Sequence, residues 1–429
     1  MLAEPGGTDC LTTSPAGCYT PQQFRTAYDI QPLLDRGIDG RGKTVTVIVY
    51  AADPATPPPV VTDIRQDLAA FDGRFGLPAA PISVVTTLAG ASSPWDASFE
   101  EVIDTEIVHA VAPGAALRVV LMPDSPQDTP ANAVAAMLAA LPLAIRDTDV
   151  VSFSGALGEH FFSPAQVAQM CSILRQAAAR HVTVVAASGD SGAVSDVFHF
   201  GTAPVKEVSL PASDPFVLAA GGTTLTASTQ TGSYIGETAW NQAVPGGGNF
   251  ASGGGFSGIF ARPAYQDAAY QDGIPGSTAT RGVPDVAGDA ATGMALAREA
   301  DGGGYELVSA GGTSAATPLW GGLIADADQL AGHDLGFVNP ALYQIARGPR
   351  YSRAFHDITT GNNTVVMNGT TYAGYQAAPG WDPVTGLGSP DAAVLVPALE
   401  RVLPSPDGVP SGVQAEAAHH PGHAEPAGT

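Results

Sequence analysis

A repeated switch of hydrophobic period between residues 44 and 187 limits what this chain can fold into more than any other feature. Thr44–Tyr50 (TVTVIVY), Leu117–Met122, Val150–Phe153 and Val182–Ala187 are short apolar runs bounded by polar or turn residues. That is the pattern of strands buried on both faces. Between and around them, Val61–Phe71, Phe99–Ala112, Ala131–Leu141 and Pro164–Arg180 carry apolar residues at helical spacing. Strands alternating with helices need crossover connections, which predicts an α/β fold: a mostly parallel central sheet with helices on both faces. No internal repeat interrupts the pattern. The 429 residues therefore read as one large domain over 19–402, after an irregular leader (1–18) and before a Pro-, Ala-, Gly- and His-rich tail (403–429) expected to be disordered. The glycine-rich stretch 244–258 reads as a surface or cleft loop.

Charge narrows the partners. Lys and Arg number 18 against 41 Asp and Glu, a formal charge of −23, and Lys43 and Lys206 are the only lysines. Such a surface repels phosphate backbones, so no nucleic-acid partner is expected. It suits an acidic medium, where protonation relieves the self-repulsion. No apolar run reaches the ~18 residues of a membrane span, and the chain shows no signal peptide, so no membrane partner is expected. Three cysteines exclude a disulfide-dense scaffold. Cys10 and Cys18 enclose a short Ser/Pro/Gly loop that a disulfide can close, whereas Cys171, in an apolar helical stretch, reads as a buried free thiol.

The segment SAGGTSAATPLWGGLIADADQ (309–329) offers a nucleophile. Gly311 and Gly312 permit a tight turn, and Ser314 then opens an apolar helix whose unpaired N–H groups and positive end favour a developing oxyanion. The bland alternative makes Ser314 or Thr313 a helix cap. A base is needed, yet no histidine stands in a His-Gly-Thr context and no Gly-x-Ser-x-Gly elbow occurs. Carboxylates offer another. In SFEEVIDTEIVHAVAPGA (98–115), Glu100 and Asp104 share a helix face among apolar residues, so they resist joint ionisation and share a proton; Glu101 and Glu106 point off that face. Such a pair works in acid, where histidine is protonated. In VTVVAASGDSGAV (182–194), Asp190 follows a strand and, kept protonated, can donate to an oxyanion; an Asx turn is the alternative.

Together with LPASDPFVLAAGGTTL (210–225), SGGGFS (252–257), RGVPDVAGDA (281–290) and GGTSAATP (311–318), these segments resemble the sedolisin family of serine-carboxyl peptidases, in family order over roughly 19–400. The resemblance implies a subtilisin-like fold and an acid-active endopeptidase acting on proteins or peptides. Ser314 would attack, Glu100 would act as general base and acid, Asp104 would be its partner, and protonated Asp190 would sit in the oxyanion hole. A tripeptidyl exopeptidase or a non-catalytic binding protein on the same fold are the alternatives.

The resemblance further implies one structural Ca2+ in the region 355–390, held by the carboxylates of Asp357 and Asp382 and the carbonyls of Ile358, Ala378 and Gly380. It implies a secreted monomer, with signal and propeptide not present in this chain. Two departures stand out. Ser154-Gly155-Ala156 replaces a common Ser-Trp-Gly, expected to widen the cleft and remove a hydrogen-bond donor near the acids. Val49 and Tyr50 stand where some members extend the carboxyl network with an acid.

Overall fold

The computed structural model describes residues 10–11, 17–51, 62–86, 96–97, 100–122, 129–195, 203–243, 248–267, 279–291, 293–300 and 303–403. Its centre is a sheet built from β1 (Thr44–Tyr50), β2 (Ile82–Thr86), β3 (Ala116–Met122), β4 (Val150–Phe153), β5 (Thr183–Ala187), β6 (Leu218–Ala227) and β7 (Tyr234–Ala239). Their order is β7-β6-β5-β4-β1-β3-β2, with β8 (Val286–Asp289) also paired to β6. Every pairing is parallel except β6 with β7. All four predicted strands are present, in register across the middle of the sheet.

Alternation along each strand sends side chains to two separate cores. Val45, Val47 and Val49 face one layer, where they meet α1 (Pro21–Ala27), α2 (Ile64–Phe75), α3 (Glu100–Val111), α6 (Thr313–Ala331), α7 (Asn339–Ala346) and α8 (Ala392–Val402). Ile48, Val151 and Phe153 face the other, packed on α4 (Pro130–Ala144) and α5 (Pro164–Ala179). The predicted helices thus fall on both faces. Their predicted starts at Val61 and Phe99 lie outside the described residues.

The central element is α6. Leu319, Trp320, Leu323 and Ile324 are at most 1% exposed, each contributing roughly 1.5–3 kcal/mol of burial. The indole N–H of Trp320 donates to the Ala287 carbonyl of β8 at 2.8 Å, fixing the helix along its axis. Gly322 brings α3 alongside: a Cβ there would stand 2.7 Å from Val111.

Several expectations need correction. The described part of 244–258 is not simply a loop: Asn249–Ala251 pairs with Asn241–Ala243, and Gly255–Ala261 pairs with Thr280–Val283. The leader is tied down at its described end. Cys10 and Cys18 form a disulfide, both are buried, and the Cys10 N–H donates to Leu307 in β10 (Tyr305–Ser309) at 3.1 Å. Cys171 is free but only half-buried, because its helix face is partly open. The tail from 404 onward lies outside the described residues.

Candidate active site

Parallel strands place their functional crevice at the carboxyl ends, where the chain leaves the sheet. Ser154 follows β4 directly, and Asp190 lies three residues beyond β5, its neighbour. The N-terminus of α6 and the first turns of α3 meet them there.

Gly312 caps α6 with φ at 94°, and no side chain caps this helix end, so neither Ser314 nor Thr313 serves as a cap. Instead Thr313 reaches Asp190. Its N–H and its hydroxyl both donate to Asp190 Oδ1, at 2.8 and 2.9 Å, and its Oγ1 accepts from the Gly189 N–H at 3.1 Å. With Oδ1 occupied by two donors, a proton on this carboxyl belongs on Oδ2. Ser314 follows in the first turn of α6, half-buried.

Asp104 sits one turn after Glu100 on α3 and is fully buried. Its Oδ1 accepts a 2.6 Å hydrogen bond from Ser154, whose Oγ also stands 3.3 Å from the Ser314 carbonyl oxygen. Burial pushes the Asp104 carboxyl well above the usual range; the neighbouring charge of Glu100 adds to this, the Ser154 bond opposes it, and Glu101 adds a smaller push. The structure therefore brings Asp104, Ser154, Asp190 and the Ser314 turn into one place, with Glu100 coupled electrostatically to Asp104.

Ser154 supplies a donor to the acids, and a Cβ on Gly155 would lie 2.5 Å from the Phe153 ring, which occupies that side of the strand end. Beyond Asp190 a small pocket is walled by Gly189, Glu207, Ser209, Gly253 and Gly254. Glu207 is held there by the His160 ring and by the His160 N–H at 3.0 Å.

Glu101 and Glu106, set aside in the sequence, are both fully buried. Glu106 accepts from the Ala297 N–H of β9 (Ala295–Glu299) at 2.8 Å, and burial, then Glu101, Asp67 and Asp72, push its carboxyl up. The signal was their position among Val102, Ile103, Ile107 and Val108 in a helix too rich in apolar residues to leave one face wholly in solvent. No described histidine stands at the serine: His109 engages Asp72 and Pro78, His160 engages Glu207, His181 follows α5 and lies against Gly336, His333 engages the Ala331 carbonyl, and His356 stacks on Tyr234.

The expected calcium region has a well-defined loop. Both Asp357 oxygens accept from the Gly380 N–H at 3.1 and 3.0 Å, while Asp382 accepts from Ala378, Val384 and Thr385. Burial, then Asp357 and more weakly Asp382, push the Tyr351 hydroxyl up, so the two carboxylates lie close to one group. Among the described residues no three His, Cys, Asp or Glu side chains gather as a metal cluster. The expected set holds only two such side chains, Asp357 and Asp382, since Ile358, Ala378 and Gly380 would enter through carbonyls.

Fold and site together define a subtilisin-like protein with carboxyls rather than histidine around its serine. The profile of the subtilase family matches residues 83–335. Kumamolisin of Bacillus sp. (strain MN-32) is 36% identical over 402 residues, covering 90% of this chain and 64% of the relative. Tripeptidyl-peptidase 1 of Homo sapiens is 30% identical over 371 residues, covering 80% and 58%. The solved Pseudomonas sedolisin, a serine-carboxyl proteinase complexed with pseudo-iodotyrostatin, superposes with a TM-score of 0.74 at 26% identity, covering 92% and 99%. The chain belongs to the subtilase family and, within it, to the sedolisins. It spans about three fifths of the length of the curated relatives it matches.

Proposed function

We propose that this chain is an acid-active serine-carboxyl endopeptidase that cleaves proteins or peptides. The observation that carries the reading is the convergence on the first turn of α6: Asp190 through Thr313, and Asp104 through Ser154. In this reading Ser314 Oγ attacks the scissile carbonyl while Glu100 takes its proton. Asp104, beside Glu100, keeps the pair short of double ionisation. The oxyanion receives a hydrogen bond from the acid form of Asp190, donated from Oδ2 because Oδ1 already accepts twice. Glu100 returns the proton to the leaving amine, and water then releases the acyl group from Ser314 by the same steps in reverse order.

The test is cleavage of a denatured protein from pH 2 to 8, wild type beside Ser314→Ala and Glu100→Gln. Activity confined to acid and lost in both variants supports the mechanism. Activity that survives Glu100→Gln and needs a histidine would overturn it. Product analysis on long peptides separates internal cleavage from release of tripeptides, the activity named for one relative.

One structural calcium ion accompanies this reading. Its donors would be the Asp357 and Asp382 carboxylates and the Ile358, Ala378 and Gly380 carbonyls, an all-oxygen set of the kind calcium takes. Burial pushes Asp382 up to about 7, and a cation there would relieve that cost. We further propose a secreted monomer. Among the described residues no helix is long and apolar enough to cross a membrane, and the Cys10–Cys18 disulfide fits an oxidising compartment.

A further inference from the structure

Ser154 lies between the two halves of the site. Its Oγ is 2.6 Å from Asp104 Oδ1 and 3.3 Å from the carbonyl oxygen of Ser314. A hydroxyl carries one hydrogen to give and two lone pairs to accept with, so Ser154 cannot donate to both oxygens at once. The state of Asp104 decides between them. An ionised Asp104 is only an acceptor and takes the Ser154 hydrogen. A protonated Asp104 can donate through Oδ1, and the Ser154 hydrogen then turns to the Ser314 carbonyl.

We propose that Ser154 is the positioning residue for the carboxyl pair, matching its hydroxyl to either form of Asp104 and relaying that form to the first turn of α6. The proposal rests on the reading of Ser314, Glu100 and Asp104 as the reacting groups. It adds a residue that touches no substrate and acts through Asp104. Ser154 is the hydroxyl that donates to Asp104 in this geometry, beside whatever proton Glu100 shares with it. The titratable groups facing Asp104 are Glu100 and Glu101 on its own helix, both acids, while α6 presents only the Ser314 backbone oxygen toward Ser154. Further along α3, Glu106 and His109 turn toward Asp67 and Asp72 of α2 and toward β9, and Glu101 acts on Glu106 as well as on Asp104. Asp104 is fully buried, so no bulk water replaces the bond.

The test compares Ser154→Ala and Ser154→Thr with wild type in full pH profiles of kcat and KM on one peptide substrate. Alanine is expected to lower kcat about 10- to 100-fold with KM within twofold. It should also move the limb that belongs to the carboxyl pair toward higher pH, because the ionised Asp104 loses its donor. Threonine keeps the hydroxyl and is expected to restore both. Ser154→Cys, of similar size and a poor donor, takes the place of alanine if that variant does not fold. An alanine or cysteine profile that superimposes on wild type, or a threonine variant as impaired as alanine, would overturn the proposal. Retained activity in Ser314→Ala would instead sink the underlying reading, so the two failures are distinguishable.

Discussion

Thr313 binds Asp190 twice through a single oxygen, with backbone N–H and hydroxyl converging on Oδ1 at 2.8 and 2.9 Å. The helix that carries Ser314 is thus docked on the carboxyl across the site, and the intervening turn leaves no room for error. A Cβ at Gly312 would stand 2.7 Å from Asp190 Oδ2, at a φ of 94° that favours glycine.

Gly312→Ala should therefore push Asp190 away from Thr313. A displacement of about 1 Å at reacting groups costs on the order of 10²-fold in rate. The expected result is that loss in kcat from a folded protein, measured by steady-state kinetics beside a melting curve. Full activity would show that the turn is looser than it stands here.

Stability should fall as pH rises. Burial is the leading cause that pushes Glu106, Asp214, Glu237 and Asp328 above their ordinary values. A carboxyl whose folded pKa exceeds its unfolded one contributes stability that is full below the unfolded value, near 3.8 for Asp and 4.5 for Glu, and is lost as pH climbs through the folded one. Tm is expected to be highest near or below pH ~4 and lower at pH ~7. Glu106→Gln keeps an acceptor for Ala297 and removes a charge facing Glu101, Asp67 and Asp72, so it should narrow that gap by roughly 3 °C. A gap as wide as wild type would exclude Glu106 from the effect.

Asp285 is the hub of a dry network. It takes both arms of Arg281 at 2.7 and 2.6 Å, the Ala219 N–H at 2.9 Å, Tyr343 at 2.9 Å and Asn339 at 3.1 Å, and Arg281 and Asp285 are fully buried. Asp285→Ala leaves the guanidinium buried without its carboxylate and should cost about 3–5 kcal/mol. Urea unfolding reads this directly, and a loss under about 1 kcal/mol would mean that the Val217 carbonyl suffices for Arg281.

Excess chelator should lower Tm, and added calcium should restore it in proportion to the logarithm of its free concentration. Asp357→Asn should remove the calcium dependence. A melting curve indifferent to chelator would remove the ion from the proposal.

The central strands were legible because burial on both faces leaves uninterrupted β-branched runs, as in TVTVIVY. β2 was not, since its residues are half-exposed at the sheet edge and ISVVT has no clear period. The serine and acid segments could be picked out by residue type and local pattern. Ser154 could not: a serine after a strand has no signature until α3 folds against it. RGVPDVAGDA was noticed as a motif, but its Arg281 and Asp285 serve the core rather than the site. Glu101 and Glu106 show why acids interleaved with apolar residues on a helix require a packing argument before being assigned to solvent.

The four segments that meet at the crevice are spread from residue 100 to residue 314, and they touch only when neighbouring strands and two distant helices are already paired. Contacts so far apart in the chain form late and together. A nascent or partly unravelled molecule would hold the serine and the acids on unconnected stretches and would be inert. On the proposed reading, a chain assembled this way has no working site until its tertiary structure is complete.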